Sequence, residues 1–314
     1  MTDKERILTD KEKMLEAEKY ICLSDEYYEK NDLENAAACF AKAAELGHPL
    51  GYYYLGQCYE LGNGLPTDMK KALSCYLEAS EGGCIDATYR MGCFYHGGWC
   101  VKQDHKMAAK LYEMAAEEGL PQAMAALSGL YEYGIGVKKS KTRARDLITK
   151  AAETGDAYHM RVLAQKYQKG ELFLKSEKKA CLWHRAAAQA GDRISMHEYA
   201  LCLYEGRGTE KDYGEALKWF SKSAEQNNRD SMYYVGLYYA KGIGMPTDHE
   251  KAIEWFRKSR SAKAHFALGR YYQEGVCLGK DEAKAMHHFE IAANIGHDEA
   301  LRIVFGPKAK YRNR

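Results

Sequence analysis

The stretch GHPLGYYYLGQCYELGNGLPTDMKKALSCYLEASEG, residues 47–82, contains two helices and the signals that stop and start them. Tyr52, Leu55 and Tyr59 fall at three- and four-residue spacings, which is one face of a helix. Gly62 follows, a residue that closes a helix in the left-handed conformation without steric cost. Beyond the loop NGLPT stands Asp68, whose carboxylate can accept hydrogen bonds from the free amides of a new helix start. The second helix carries Ala72, Tyr76 and Ala79 on one face and stops at Gly83. The segment therefore reads as two antiparallel helices of roughly 12 to 14 residues each.

The same reading repeats along the whole chain. Alanine stands at 36, 72, 108, 144, 180, 216 and 252, a spacing of 36 residues without slippage, then at Ala285 after an interval shortened by three. Glycine keeps the beat at 62, 98, 134, 170, 206 and 242, and a second glycine column runs from Gly47 to Gly191. The cap column is Asp32, Asp68, Asp104, Ser140, Ser176, Asp212, Asp248 and Asp281, and every member can accept from a helix start. A unit of this length cannot bury an apolar face alone, so the units must stack into a continuous core.

Composition agrees with an all-helical chain. Only five prolines interrupt 314 residues, and no apolar run approaches the ~20 residues that span a bilayer, so membrane insertion is not expected. The start MTDKERILTDKEK is too charged for a secretory signal, and ten cysteines without a recurring paired spacing read as buried thiols; a cytoplasmic location follows as the expectation. A formal charge of +2 gives no reason to expect nucleic acid as a partner. The tail GPKAKYRNR is a basic run, Lys308, Lys310, Arg312 and Arg314, and reads as a solvated end.

Leu55-Gly56, Tyr59, Gly62, Gly64, Asp68, Lys71-Ala72, Tyr76 and Ala79 spell the pattern LG..Y..G.G...D..KA..WY..AA..G, and Val235-Gly236, Tyr239, Gly242, Gly244, Asp248, Lys251-Ala252 and Trp255-Phe256 spell it again. This pattern resembles the Sel1-like repeat family, a relative of the tetratricopeptide repeats. Cys100, Leu172 and Cys277 depart from it at the second loop glycine, so those loops are expected to turn differently. The repeat near 155–190 is the weakest match, with His184 at the aromatic position. The resemblance implies an all-α fold, a right-handed α/α superhelical solenoid of antiparallel helix pairs, and a protein-binding scaffold or adaptor without catalysis or cofactor. Residues 1–46 read as a tetratricopeptide-like pair that caps the array, 47–296 as seven repeats, and 297–314 as a partial terminal helix, around Glu299 to Phe305, and the basic tail. Composition does not address oligomeric state.

In related repeats the first helix of each pair lines the concave surface. The columns of Leu55 and of Tyr59 read as core, whereas the column one residue past Tyr52 changes character: Tyr53, Tyr89, Ala125, Arg161, His197, Tyr233, Phe266. Four and seven positions past it come Gln57, Gln165 and Arg270, then His96, Glu132 and Tyr204. Aromatics and arginines dominate binding energy at interfaces, so an extended or helical segment of a protein or peptide partner is expected along this surface. The alternative is a structural or regulatory subunit working through its edges or its convex second helices, where Trp183, Trp219 and Trp255 lie.

Two chemical readings compete less strongly. Cys84, Cys93, His96, Cys100 and His105 crowd into one repeat and hold the ligand types of a zinc site, but the spacing matches no paired CxxC arrangement, and no metal is expected. Ser176 and Lys179 spell SxxK, the nucleophile and lysine of serine penicillin-recognising enzymes, yet Ser176 belongs to the cap column and no SDN or KTG element accompanies it.

Overall fold

The computed structural model describes residues 9–306, and the basic run from Lys308 to Arg314 lies outside them. Among the described residues all regular structure is α-helix. The chain divides into two compact units, Met1–Thr154 and Gly155–Arg314.

The first unit contains α1 (Asp10–Glu29), α2 (Leu33–Glu45), α3 (Pro49–Leu61), α4 (Met69–Glu81), α5 (Ile85–Gly97), α6 (His105–Glu117), α7 (Pro121–Tyr133) and α8 (Lys141–Glu153). The second contains α9 (Ala157–Lys169), α10 (Glu177–Gln189), α11 (Arg193–Glu205), α12 (Tyr213–Glu225), α13 (Arg229–Lys241), α14 (His249–Ser259), α15 (Ala262–Glu274), α16 (Glu282–Ile295) and α17 (Asp298–Phe305). Within each unit every helix packs on the next in sequence, giving tandem helix pairs, the solenoid architecture the repeat requires. The terminal helix expected around Glu299 to Phe305 is α17.

The expected caps and stops are all present. Each residue of the cap column accepts a backbone N–H from its second helix, as Asp68 does from Lys70 and Lys71. The first helices close on left-handed glycines, Gly62 at φ 76° and Gly242 at φ 65° among them. The loops at Cys100, Leu172 and Cys277 do not turn differently, contrary to the expectation from their side chains. These residues adopt φ of 55°, 62° and 54°, the left-handed region that Gly64 occupies at 74°. The closure of the loop between two packed helices outweighs the cost of a Cβ there, of order 1–2 kcal/mol.

The alanine column is the contact between the two helices of a pair. Ala72, Ala108, Ala144, Ala216 and Ala252 are fully buried. A Cβ built on Gly56 would lie 2.8 Å from the Tyr76 ring and 3.3 Å from the Ala72 carbonyl oxygen, and one on Gly236 would lie 2.8 Å from Phe256 and 3.2 Å from the Ala252 carbonyl. Ser128 takes the same position in α7 and donates its hydroxyl to the Ala144 carbonyl at 2.7 Å. The shortened interval is absorbed by α14, whose 11 residues end at Arg260 in a left-handed conformation, φ 52°.

The tyrosine column read as core divides: Tyr131 and Leu203 are buried, whereas Tyr59, Tyr95, Tyr167, Tyr239 and Tyr272 are half-buried. From Asp68 onward the amide of each cap residue donates to the carbonyl nine residues earlier, a tyrosine in every case but Asp212, which meets Leu203; Asp68 reaches Tyr59 and Asp248 reaches Tyr239, both at 2.9 Å. The residue three past the cap then swings its cation over the same ring: Lys71 on Tyr59 at 5.3 Å, Lys179 on Tyr167 at 5.2 Å, Lys251 on Tyr239 at 5.6 Å and Lys284 on Tyr272 at 5.6 Å. These rings are half-buried: a lysine stem lies over each, and Tyr167 also packs on Phe173 at 4.4 Å and Tyr272 on His288 at 5.6 Å. The lysine of the recurring Lys-Ala pair is explained by this clasp.

Gly236→Ala places a methyl group against Phe256 and is expected to cost about 1–3 kcal/mol of unfolding free energy. Urea denaturation followed by circular dichroism measures it; an unchanged midpoint would show that the Phe256 ring yields and that the crossing is not tight.

Candidate partner-binding face

The first helices place their variable columns beside the core, and the two units do this with different chemistry. In the first unit Tyr53 is half-buried: its ring lies 6.0 Å from Tyr76 and its hydroxyl accepts from Gln57 Nε2 at 2.8 Å. Burial, reinforced by Asp86, pushes the Tyr53 phenol up to about 12. Tyr89 stands in the same relation to Tyr112, with ring centroids 5.6 Å apart. Each tyrosine of this column thus leans on the core aromatic of its own pair's second helix. Its outer edge stays at the surface.

Below Tyr53 lies a polar network that the sequence pattern did not disclose. Tyr76 donates its hydroxyl to Glu60 Oε2 at 2.6 Å, and the Arg90 guanidinium bonds and pairs with Glu60 Oε1. The Glu60 side chain is only 8% exposed and that of Arg90 27%. Burial works against the Arg90 charge, and the hydrogen bond and charge of Glu60 overcome it, raising its pKa; burial and Glu60 together raise that of Tyr76. The signal existed in the column of position 90, which reads Tyr54, Arg90, Ala126, Val162, Glu198, Tyr234: two charges in an otherwise apolar row. Gln168 and Glu198 take the positions of Glu60 and Arg90 three repeats later, where burial raises the Glu198 carboxyl, while Arg207 and the hydrogen bond from Gln168 work against the rise. Tyr204 and Tyr234 form the next such rung, ring against ring at 5.6 Å. Adjacent first helices are joined by these rungs.

In the second unit the column ties each repeat to the start of the following one. Arg161 pairs with Asp192, the cap of α11, at 3.2 Å and lies 5.0 Å over the Tyr158 ring. His197 Nδ1 meets Ser231 Oγ at 2.8 Å, and burial pushes its pKa down to about 4, so the ring is neutral at physiological pH. Tyr233 packs on Phe256 at 5.6 Å and Phe266 stacks on His297 at 4.3 Å. Tyr204 joins Tyr213, Phe220, Tyr234 and Tyr238 in an aromatic cluster. Gln165 is half-buried, and Arg270 is exposed and paired with Glu274 at 2.6 Å. The second-helix tryptophans divide: Trp219 is buried, whereas Trp183 and Trp255 are half-buried.

The other chemical candidates resolve into structural roles. His96 faces His105 with ring centroids 5.0 Å apart, but Cys100 donates to the Met69 carbonyl at 3.3 Å, and among the described residues no three ligands of this cluster converge. Glu132 is half-buried on α7. Ser176 caps α10 by accepting from the Lys179 amide at 3.3 Å, and the Lys179 ammonium lies on Tyr167. His184, the departure from the aromatic position, is 1% exposed, within 3.4 Å of Ser195 Oγ through Nδ1, and pushed down to about 4 by burial.

Tandem helix pairs with clasped loops and a half-buried first-helix face define an α/α repeat protein of the tetratricopeptide type. The Sel1 repeat matches eight times, over residues 20–48, 49–84, 85–120, 121–156, 160–192, 193–228, 229–261 and 262–297, and the chain belongs to the Sel1 repeat family. Its fold is similar to that of a protective antigen of uropathogenic Escherichia coli with a Sel1-like repeat fold (28% identity, TM-score 0.76), a similarity covering 95% of this chain and 66% of that one. The chain therefore spans just under two thirds of that protein. It is also similar to a Sel1 repeat protein from Oxalobacter formigenes, at 27% identity and TM-score 0.63, over 76% of this chain and 98% of that one. No curated protein matches the chain. Proteins of this repeat family generally mediate protein–protein interactions and are generally non-enzymatic. No helix among the described residues is long and apolar enough to cross a membrane.

Glu60→Leu leaves Arg90 and the Tyr76 hydroxyl without their shared acceptor and is expected to cost about 3 kcal/mol, while Glu60→Leu with Arg90→Leu recovers at least half of it. Equal destabilisation in the single and double variants would show that the ion pair is not coupled. A second outcome concerns pH. The unfolded His184 imidazole ionises near ~6.5 and the folded one only near about 4, so the stability of the neutral ring is complete above the first value and lost as pH falls toward the second. Replacing His184 with Phe, the residue type at the equivalent positions 220 and 256, should reduce the loss of stability between about pH 7.5 and pH 5 by roughly 2 kcal/mol. An unaltered difference in urea midpoints between the two pH values refutes the assignment.

Proposed function

We propose that this chain is a non-catalytic scaffold that holds an extended or helical segment of another protein against its first helices, residues 1–46 capping the array. The observation that carries this reading is the half-burial of Tyr53, Tyr89, Arg161, His197, Tyr233 and Phe266, two residues away from buried columns on either side, such as Ala87 and Met91 beside Tyr89. Each side chain is fixed from behind by a core contact or a hydrogen bond and presents its other edge outward. Ordering these groups in advance reduces the side-chain entropy lost on binding, about 0.5–1.5 kcal/mol per immobilised side chain. Rigid aromatics with a polar tip are the anchors such surfaces use.

Gln57 and the Glu60–Arg90 ion pair give the first unit a polar floor beside its tyrosines, with the two charges matched to each other. The second unit offers aromatic edges with a neutral imidazole at His197. A segment with alternating apolar and polar side chains suits both surfaces, each taken by itself. A reducing, cytoplasmic setting accords with ten free thiols, five of them buried.

Affinity capture from the native cell, comparing the intact chain with Tyr53→Ala/Tyr89→Ala/Tyr233→Ala, tests the proposal. The triple variant should lose the partner at least tenfold while retaining helical circular dichroism and a cooperative melt. Equal capture by a folded triple variant rejects the first-helix face and favours the edges or the second helices.

A further inference from the structure

The tryptophan position of the repeat pattern is Trp183, Trp219 and Trp255 in the second unit, but Cys75, Leu111 and Leu147 in the first. At Leu147 the first unit has a cleft of about 450 Å³ between α6, α7 and α8. Met124, Leu127, Tyr131 and Leu147 form its apolar lining, and Glu113, Asp146, Arg143 and Lys150 stand among its polar groups. The volume lies within the ~300–1,000 Å³ of small-ligand sites.

Two repeats further along the chain, at 36 residues each, the same positions surround Trp219. Met124 corresponds to Met196, Leu127 to Tyr199, Tyr131 to Leu203, Arg143 to Glu215 and Lys150 to Lys222. There the indole fills the space between the walls. Trp219 is 8% exposed, its ring meets Tyr199 edge-on at 5.7 Å, and Lys222 Nζ lies 4.5 Å from the centroid of its ring. Its Nε1–H donates to Glu215 Oε1 at 2.9 Å. The second unit thus carries, covalently, a side chain seated at these positions, with the wall charges exchanged: Arg185 and Lys218 stand where the first unit has Glu113 and Asp146.

In the first unit leucines replace two of these rings, at 127 and 147, and the ring gained at Tyr131 is held by Arg143, which donates to its hydroxyl at 2.7 Å and lies 5.3 Å over it. We propose that the cleft between α6, α7 and α8 binds a tryptophan side chain presented by a partner protein. Lys150, the counterpart of Lys222, supplies a cation to the negative face of the indole. Arg143 cannot accept the indole N–H as Glu215 does; the carboxylate of Glu113 serves instead, since that of Asp146 already pairs with Lys150 at 3.0 Å. An aromatic ring on a polar, mixed-charge segment is complementary to this lining. The site is separate from the first-helix columns proposed above, and its test needs no natural partner.

N-acetyl-tryptophanamide is titrated to millimolar concentration into the full chain, with methyl NMR signals of Met124, Leu127 and Leu147 as the readout. Selective, saturable shifts at these methyls are expected, at least fivefold weaker with N-acetyl-leucinamide. Leu147→Trp should abolish the shifts at Met124 and raise the melting temperature by about 2–4 °C, and adding Arg143→Glu, which restores the N–H acceptor, should raise it further. No shift at Met124 in the wild-type chain, or equal shifts with the leucine amide, overturns the proposal. So does a folded Leu147→Trp variant that binds the tryptophan amide unchanged.

Discussion

The close crossing of the two helices in each pair is the constraint on which the rest depends. A buried alanine on the second helix faces a glycine, serine or alanine on the first, and the available space is less than a methyl group at Gly56 and Gly236. Helices this close bring the large second-helix residue, Tyr76 or Phe256, directly against the first helix. Dispersion and apolar burial are gained over the whole contact, at the loss of any side chain at the crossing itself. The clasped loop holds this geometry at one end: cap amide to tyrosine carbonyl, and cation over tyrosine ring.

Close crossing also explains why the first-helix face is half-buried and fixed. With the first helix drawn onto the second, a residue two positions from the buried columns cannot leave the surface of its neighbours. Tyr53 rests on Tyr76, Tyr233 on Phe256 and Phe266 on Phe289. The rungs between adjacent first helices, Glu60 with Arg90 and Tyr204 with Tyr234, then differ from repeat to repeat without altering the frame.

Much of this was legible from residue types. The caps, the left-handed glycines and the alanine beat are local signals, decided by hydrogen bonding and sterics within a few residues, and they read correctly down to Asp281 and α17. Burial was harder to read. Tyr59 and Tyr239 match the period of a core column yet are covered by lysine stems, because the loop that follows folds back over them. Cys100 and Cys277 lack the backbone freedom of glycine and still turn left-handed, since two packed helices dictate the path between them. The Glu60–Tyr76–Arg90 network joins residues up to 30 positions apart, and only a charged outlier in an apolar column hinted at it.

The amino-acid sequence by itself determined the helix pairs, their ends and the positions where they cross, because each of these rests on the intrinsic geometry of the backbone and on side-chain size at a fixed spacing. Tertiary structure alone decided which polar side chains meet and which walls enclose space. Leu147 and Trp219 occupy one column, but only the packing of three helices around each shows that one set of walls is filled by its own indole while the other forms a cleft of about 450 Å³. Volume and charge pairing belong to neighbours brought together by folding, and no periodicity along the chain contains them.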